Sequence, residues 1–297
     1  MEQAAVAVLV DGHLAGTGWR VADGGDVVTA AHVLWKEFER IEVLGHGGER
    51  VSASLVGSDP LHDLALLALE EEGPTAAGLE LRRGEEVAAG EPLWLLGWPM
   101  FRHRILLAGR AATTSPAAEW NPDLQMPTRM LHVSGPAPSG VSGGAWVDHR
   151  GRVVGVQSGV VTGGGAPVGL AYMAPVDAVE SLLAARGHVV RAELGCAVEE
   201  LWEQGGGFRD RVPEGVSGVV PRALRDGGAA SRAGLSEDHV ITEIDGETVG
   251  LRDEVLAMLL RSEPGRPLRL SGFDLAEGED FEIVVELGRV LPPWESQ

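Results

Sequence analysis

Short apolar runs broken by Gly, Asp and Pro dominate the first half of the chain. Many short runs of this kind with turn formers between them are typical of β-strands in a barrel or a sandwich. The pattern therefore predicts a mainly β first half. Its predicted strands are Ala4–Val10, Thr17–Val21, Asp26–Thr29, Ile41–Leu44, Val51–Val56, Leu64–Leu69, Pro92–Gly97, Ile105–Thr113, Met130–Val133, Ala145–Val147, Arg152–Gln157 and Val168–Met173.

A helical pattern from Pro175 to Arg186 ends this half, with Pro at its start and Gly187 past its end. The following hundred or so residues mix strands and helices, which predicts a compact α+β domain. We therefore expect domains at 1–188 and 189–291, with a tail at 292–297. The predicted strands of the second domain are Leu194–Val198, Val216–Val220, Val240–Ile244, Leu268–Leu270 and Phe281–Leu287, and its predicted helices are Ala229–Ala233 and Leu251–Arg261.

Composition narrows the class of protein. The 297 residues suit two domains, and 44% hydrophobic with 23% charged residues excludes disordered and fibrous classes. The net charge is −20, and both halves are acidic, so neither offers the basic surface that nucleic acid or an anionic membrane would need. The single cysteine, Cys196, cannot form an internal disulfide.

The N-terminus bears on location. It starts Met1-Glu2-Gln3, and its apolar run ends at Asp11, unlike a secretory signal with a basic start and a small-residue cleavage site. No segment approaches the ~20 apolar residues of a membrane span. The sequence therefore predicts a cytoplasmic location.

Three local motifs carry candidate chemistry. Val28-Thr29-Ala30-Ala31-His32 delivers a histidine at a strand end, and Asp63 heads the apolar run Leu64–Leu69. Gly140-Val141-Ser142-Gly143-Gly144 places a serine among glycines. A serine nucleophile needs a base whose tautomer a carboxylate fixes, and flanking glycines let backbone N–H groups turn toward a developing oxyanion. Together, in the order His, Asp, Ser, these motifs predict a catalytic triad.

The serine motif also satisfies the G-x-S-x-G pattern of α/β-hydrolases. That fold places the acid and the histidine after the serine and alternates strands with helices. Only His149, His188 and His239 follow Ser142, and the region before it is rich in predicted strands, which disfavours this alternative. The histidines other than His32 show no metal-ligand spacing, so no metal or other cofactor is expected.

The motifs resemble those of chymotrypsin-like serine proteases, and the Asp63-Leu64-Ala65-Leu66 form is similar to the HtrA/Deg branch. The likeness runs over residues 5–186. It implies a pair of six-stranded β-barrels and a serine endopeptidase. In the roles that the resemblance implies, Ser142 is the nucleophile, His32 the general base, Asp63 its orienting partner, and the N–H groups of Gly140 and Ser142 the oxyanion hole.

The second domain resembles the PDZ domains of the same branch. Glu193-Leu194-Gly195-Cys196 is similar to their carboxylate-binding loop, and 227–246 is similar to a longer and more specific PDZ stretch. A PDZ domain adds a peptide as an extra strand while loop N–H groups hold its C-terminal carboxylate. The resemblance therefore implies peptide binding at Leu194, Gly195 and Cys196, with Leu251–Leu260 as the wall of the side-chain pocket.

The resemblance also bears on activation and specificity. Val141, directly before the nucleophile, can make no ion pair with a new N-terminus, so activation by cleavage is not expected. The residues that would bind substrate, Pro136, Ala137, Ser158 and Gly159, include no carboxylate. A small or medium apolar residue before the scissile bond is therefore favoured over Lys or Arg.

A rival of another class is a peptide-binding scaffold with a catalytically silent protease-like domain. The intact triad disfavours it. The expected partners are protein or peptide substrates and peptide C-termini, with no nucleic acid and no membrane. HtrA proteins typically form trimers through an N-terminal extension, whereas the first predicted strand here begins at Ala4. Trimerisation by that route is therefore not expected, and a monomer, a homo-oligomer and a larger assembly are left open.

Overall fold

A computed structural model describes residues 2–34, 38–45, 47–71, 78–121 and 126–290, and the predicted tail at 292–297 lies outside them. The chain forms two compact units. The first takes in Met1–Ala117 and Arg129–Val189, and the second takes in Ala118–Thr128 and Val190–Leu291.

The domain prediction, with its boundary between residues 188 and 189, differs from these units mainly at 118–128. The sequence assigns this segment to the first domain, whereas the structure groups it with the second unit. Within that unit, the Ala118 N–H donates to a carboxylate oxygen of Asp253 at 2.8 Å. A contact between residues so far apart in the chain leaves no trace in a local pattern.

The first unit begins with a closed antiparallel barrel, in which β1 pairs with both β2 and β4. Strand β1 reads as a continuous apolar run because both of its faces are buried. Val6 and Val8 pack into one hydrophobic cluster, while Ala5 packs into another. The strand order is β1-β2-β3-β6-β5-β4. The strands are β1 Ala5–Val10, β2 His13–Arg20, β3 Val27–Ala30, β4 Ile41–Leu44, β5 Arg50–Asp59 and β6 Leu64–Leu69.

The next seven strands form a second sheet in the order β13-β12-β11-β7-β8-β10-β9. Pairing of β10 with β13 closes six of them into a second barrel, and β9 extends the sheet beyond β10. The unit ends with α1, Val176–Ala185. The strands are β7 Pro92–Gly97, β8 Ile105–Ala111, β9 Ala117–Asn121, β10 Met126–Ser134, β11 Ala145–Val147, β12 Val153–Gly163 and β13 Ala166–Pro175.

The second unit contains a five-stranded antiparallel path, β15-β16-β17-β19-β20, in which β15 is an edge strand. Two smaller pairings complete it, β18 with β17 and β14 with β21. The predicted mainly β class with a two-barrel first part is confirmed. Within the described residues no helix is both long and apolar enough to cross a membrane. The elements are β14 Ala192–Glu193, β15 Ala197–Glu200, α2 Gly206–Arg209, β16 Val219–Arg222, α3 Ala229–Arg232, β17 His239–Ile244, β18 Glu247–Thr248, α4 Arg252–Leu260, β19 Pro267–Asp274, β20 Glu279–Glu286 and β21 Gly288–Arg289.

Candidate active site

His32 lies in a short 3-10 turn, Ala31–Leu34, directly after β3, as the apolar run before it predicts. Ala31, Val33 and Leu34 are buried and anchor this turn in the barrel. The imidazole itself is 28% exposed. The buried residues of the turn therefore fix its backbone, while the His32 imidazole stays partly exposed to solvent.

Asp63 lies at the end of the turn Pro60–His62, in the left-handed region with φ 52° and ψ 45°. Aspartate tolerates this conformation better than most residues. Its carboxylate is buried and binds His32 twice. Oδ1 accepts the backbone N–H of His32 at 2.9 Å, and Oδ2 lies 2.7 Å from the imidazole Nδ1. An ionised carboxylate can only accept, so Nδ1 carries the proton and Nε2 is left as the basic nitrogen.

Ser158 joins this pair to the serine motif. Its hydroxyl donates to Asp63 Oδ2 at 2.5 Å, and its carbonyl oxygen lies 3.5 Å from the Ser142 hydroxyl. The sequence predicted Ser158 only as a substrate-binding residue. The structure thus connects His32, Asp63 and Ser142 by a chain of polar contacts, in which Ser158 lies between Asp63 and Ser142.

The glycines around Ser142 are required by close packing as well as by backbone shape. Gly140 and Gly143 have φ values of 97° and 83°. A Cβ placed on Gly143 would lie 2.1 Å from the carbonyl oxygen of Thr17. Val141 is buried in the core of the second barrel, so a β-branched residue at this position anchors the loop.

Two peptide planes in this loop are fixed by hydrogen bonds to their carbonyls. The Ser139 carbonyl accepts the Met100 N–H at 2.6 Å, and the Val141 carbonyl accepts the Gly144 N–H at 2.9 Å. Because a trans peptide is planar, the N–H of the next residue points away from each carbonyl. The N–H groups of Gly140 and Ser142 therefore point away from Met100 and Gly144, which bind the two carbonyls. This arrangement suits donation to an oxyanion.

The remaining predicted substrate residues lie close to this loop in sequence and packing. Pro136 is exposed, and Ala137 packs against the second-barrel core. The carbonyl of Gly159 accepts a hydrogen bond at 2.8 Å from the side-chain amide of Gln157. The oxygen of that amide accepts the indole N–H of Trp146, also at 2.8 Å. The side chains of Gln157 and Trp146 are buried, so these hydrogen bonds fix the Gly159 carbonyl from the core side of the strand.

Sequence reasoning missed Thr17 and Gln157. Thr17 donates its backbone N–H to the Ser142 carbonyl at 2.8 Å and its hydroxyl to the Gly140 carbonyl at 2.7 Å. The signal for Gln157 was a polar residue directly after the apolar run Val153–Val156, and the signal for Thr17 was a threonine flanked by Gly16 and Gly18. Neither signal identifies a partner.

A second candidate site is a groove in the second unit. The N-terminal end of β15 and the buried face of α4 line it, and both Leu194 and Cys196 lie on its wall. Gly195, between them, has a φ of 77°. Burial raises the pKa of the Cys196 thiol to about 12, and the nearby Glu193 carboxylate adds to this. Cys196 is therefore a neutral apolar wall residue. The other lining residues are Ala118, Glu119, Ala197, Val198, Glu199, Arg222, Ala223, Arg252, Val255, Leu256 and Leu259.

Comparison with known proteins adds to this geometry. Residues 16–156 match the trypsin-like peptidase domain family. A probable periplasmic serine endoprotease DegP-like from Hahella chejuensis is 27% identical over 282 residues, covering 93% of this chain and 57% of that protein. The protein of the same name from Ectopseudomonas mendocina is 28% identical, covering 92% of this chain and 56% of that protein. The chain thus spans a little over half the length of these curated relatives.

Among solved structures, the HtrA-type protease AlgW with a tripeptide has a similar fold. It superposes with a TM-score of 0.71 at 22% identity, and the match covers 98% of this chain and 95% of that one. The predicted HtrA/Deg resemblance is confirmed. The predicted cytoplasmic location is wrong, because the matching relatives are named periplasmic. Residues near the start of the chain supply the 3-10 turn Glu2–Ala4 and strand β1, so their composition reflects the barrel rather than the compartment.

Proposed function

We propose that this chain, which belongs to the HtrA/Deg-like family of trypsin-like peptidases, is a serine endopeptidase that cleaves peptide bonds through an acyl-enzyme. The observation that carries the proposal is the buried Asp63 carboxylate bound twice to His32 and linked through Ser158 to Ser142. A histidine whose tautomer a carboxylate fixes, connected through Ser158 to a serine in a glycine loop, supports the assignment of a base and a nucleophile for acyl transfer.

In the proposed reaction, Ser142 Oγ attacks the scissile carbonyl carbon while His32 Nε2 takes the hydroxyl proton. The resulting oxyanion accepts hydrogen bonds from the N–H groups of Gly140 and Ser142. The C–N bond then breaks as Nε2 returns the proton to the leaving amine. In the second half-reaction, Nε2 takes a proton from a water molecule as the water oxygen attacks the ester carbonyl carbon. The bond between that carbon and Ser142 Oγ then breaks, Nε2 returns the proton to Oγ, and the acid product leaves. Asp63 stays ionised and stabilises the imidazolium in both half-reactions.

The second unit is proposed to be a PDZ domain that binds peptide C-termini for substrate recruitment or regulation. Three features support it: β15 is an edge strand among the residues that the structure describes, apolar residues of α4 line the groove beside it, and so do Leu194 and Cys196. An edge strand offers unpaired backbone groups to an added strand. Titration of the full chain with a labelled apolar peptide tests this, and we expect at least about tenfold weaker binding of its C-terminally amidated form, since the amide removes the charge.

The substrate class follows from the residues around the nucleophile. Pro136, Ala137, Ser158 and Gly159 present no carboxylate, so nothing there would pair with a basic side chain. We propose that small or medium apolar residues are preferred before the scissile bond. The bonds cleaved in casein, identified by mass spectrometry, test this preference, and cleavage mainly after Lys or Arg would contradict it.

The decisive experiment compares wild-type protein with Ser142→Ala and with the control Ser54→Ala, an exposed serine on β5. We expect the wild type and the control to cleave casein and to react with a fluorophosphonate. Ser142→Ala should do neither at an unchanged melting temperature, because loss of a triad nucleophile costs on the order of 10⁶ in turnover. Folded wild-type protein that neither cleaves nor reacts would favour the silent scaffold. Equal activity in Ser142→Ala would remove this serine from the mechanism.

A further inference from the structure

Resting on the proposed peptidase function, we propose that Thr17 is a positioning residue that holds the nucleophile loop, residues 139–144, in the shape that forms the oxyanion hole. Thr17 lies on β2 of the first barrel, and its side chain is fully buried. The nucleophile loop precedes β11 of the second barrel, more than a hundred residues later. Contacts from Thr17 therefore join the two barrels of the first unit directly behind the candidate nucleophile.

Apart from the strand ladder, the described residues give Thr17 four hydrogen bonds, and two of them reach the loop. Its N–H donates to the Ser142 carbonyl at 2.8 Å, and its hydroxyl donates to the Gly140 carbonyl at 2.7 Å. The same hydroxyl accepts the Trp98 N–H at 3.1 Å. Its own carbonyl accepts the hydroxyl of Thr29 at 2.7 Å, which keeps this part of β2 in place.

The hydroxyl works as a directional link because it has a single hydrogen. With the Trp98 N–H held on one of its lone pairs, the hydrogen remains for the Gly140 carbonyl. Trp98 directly precedes the turn that contains Met100, whose N–H binds the Ser139 carbonyl. The Thr17 hydroxyl thus connects the nucleophile loop with the residue that precedes the Met100 turn. The contact between these two segments orients the Gly140 N–H.

The carbonyls of residues 139 to 142 all have donors, so each of the four peptide planes is fixed. Met100 and Gly144 supply two of these donors, and Thr17 supplies the other two. Because peptide units are planar, loss of one contact allows its plane to rotate and to disturb the neighbouring N–H groups. The backbone bond from Thr17 survives any substitution except proline. The bond to Gly140 depends on the side chain alone.

The hydroxyl is not needed for the barrel itself. Within the sheet, Thr17 is the register partner of Ala7 on β1, whereas its hydroxyl contacts Gly140 and Trp98, which lie outside the first barrel. Valine would fill a similar volume but would leave the Gly140 carbonyl and the Trp98 N–H without this partner, so the effect of the change falls on the loop and on the turn next to it. The side chain therefore serves the loop that it contacts, and its removal should affect turnover more than stability.

The test compares Thr17→Val, Thr17→Ser and Thr128→Val in the full chain. Thr128 is the matched control: its side chain is buried, and its hydroxyl donates to a main-chain carbonyl, that of Glu119, at 3.1 Å. The measurements are kcat and KM for a peptide substrate, the Ki of a peptidyl trifluoromethyl ketone, and hydrogen exchange of peptides covering 138–144. The ketone forms a tetrahedral oxyanion on the enzyme, so its affinity reports on the oxyanion hole.

We expect Thr17→Val to lower kcat about 10- to 100-fold with KM changed less than about twofold, somewhat less than the loss of an oxyanion donor itself. The Ki of the ketone should rise by a similar factor, and exchange over 138–144 should be faster. Thr17→Ser should restore kcat to within about threefold of wild type, while Thr128→Val should match wild type. If Thr17→Val fails to fold, Thr17→Ala against Thr17→Ser isolates the same hydroxyl.

Two results would overturn the inference. One is a Thr17→Val or Thr17→Ala variant with wild-type kcat and loop exchange. The other is an equal loss of kcat in Thr128→Val, which would show a general effect of removing a buried hydroxyl. If the wild-type protein cleaves no peptide, the proposed function fails, and hydrogen exchange over 138–144 still decides whether Thr17 holds the loop.

Discussion

Replacement of Gly143 by alanine should destabilise the first unit far more than the same change at Gly165. The two glycines have nearly the same backbone conformation, with φ values of 83° and 82°. A Cβ at Gly165 would meet no atom within 4 Å. A Cβ at Gly143 would lie 2.1 Å from the Thr17 carbonyl oxygen, 2.3 Å from the Thr29 hydroxyl and 2.7 Å from the Ala30 nitrogen. The pair therefore separates the cost of the conformation from the cost of crowding.

The magnitude follows from these contacts. A left-handed conformation costs a non-glycine residue about 1–2 kcal/mol, which applies to both variants. The new methyl at Gly143 must also move by roughly 1 Å or more, since real Cβ atoms essentially never approach closer than 3.0 Å. Such a shift breaks the bonds of Thr17 to Ser142 and Thr29, and that of Gly143 to the Gln157 carbonyl. At about 0.5–1.5 kcal/mol per hydrogen bond, the extra loss is about 2–4 kcal/mol.

Urea unfolding followed by tryptophan fluorescence measures the difference, because Trp19 and Trp146 are both buried in the first unit. With a slope of about 2 kcal/mol per molar urea, the midpoint of Gly143→Ala should lie about 1–2 M below that of Gly165→Ala. Fluorophosphonate labelling should be lost in the first variant and kept in the second. Equal midpoints for the two variants would refute the packing argument.

Two further predictions concern single side chains. Ser158→Ala should lower kcat/KM about tenfold, because hydrogen bonds to charged groups contribute about 1.5–3 kcal/mol and this one helps to orient the Asp63 carboxylate; an unchanged kcat/KM would contradict that role. Cys196 should resist iodoacetamide at pH 8 in the folded protein and react in 8 M urea. Its pKa of about 12 leaves about one thiolate in 10⁴ at that pH, so rapid alkylation of the native protein would show that the wall of the groove is open.

The strands that the sequence predicted with their observed bounds share one property. Leu64–Leu69, Pro92–Gly97 and Ala145–Val147 are short apolar runs next to turn formers, and Ile41–Leu44 is apolar except at Glu42. The side chains of all four strands are largely buried. Burial of this kind imposes an apolar composition that the sequence displays directly. Strand β9 was missed, because Ala117–Asn121 carries polar residues and pairs only at the edge of its sheet.

Long strands were predicted too short for a similar reason. Strands β12 and β13 run from Val153 to Gly163 and from Ala166 to Pro175, whereas the apolar pattern ended at Gln157 and began only at Val168. Their distal halves, around 159–169, are partly or fully exposed. An exposed hairpin is held by its backbone ladder, and that ladder places little demand on side-chain polarity.

The sequence by itself determined the β character of the first unit and the candidate triad, His32, Asp63 and Ser142. Local composition and short motifs carry this information, because burial and turn geometry act on neighbouring residues. It also supplied the family resemblance that the comparisons confirm.

Only the tertiary structure decided how those residues are connected. Ser158 reaches Asp63 across 95 positions of the chain, and Thr17 reaches Gly140 across 123. It also decided that 118–128 packs with the second unit. The physical reason is the same in each case. A hydrogen bond forms where closure of the sheets brings donor and acceptor within about 3 Å, and no local pattern records which partner that will be.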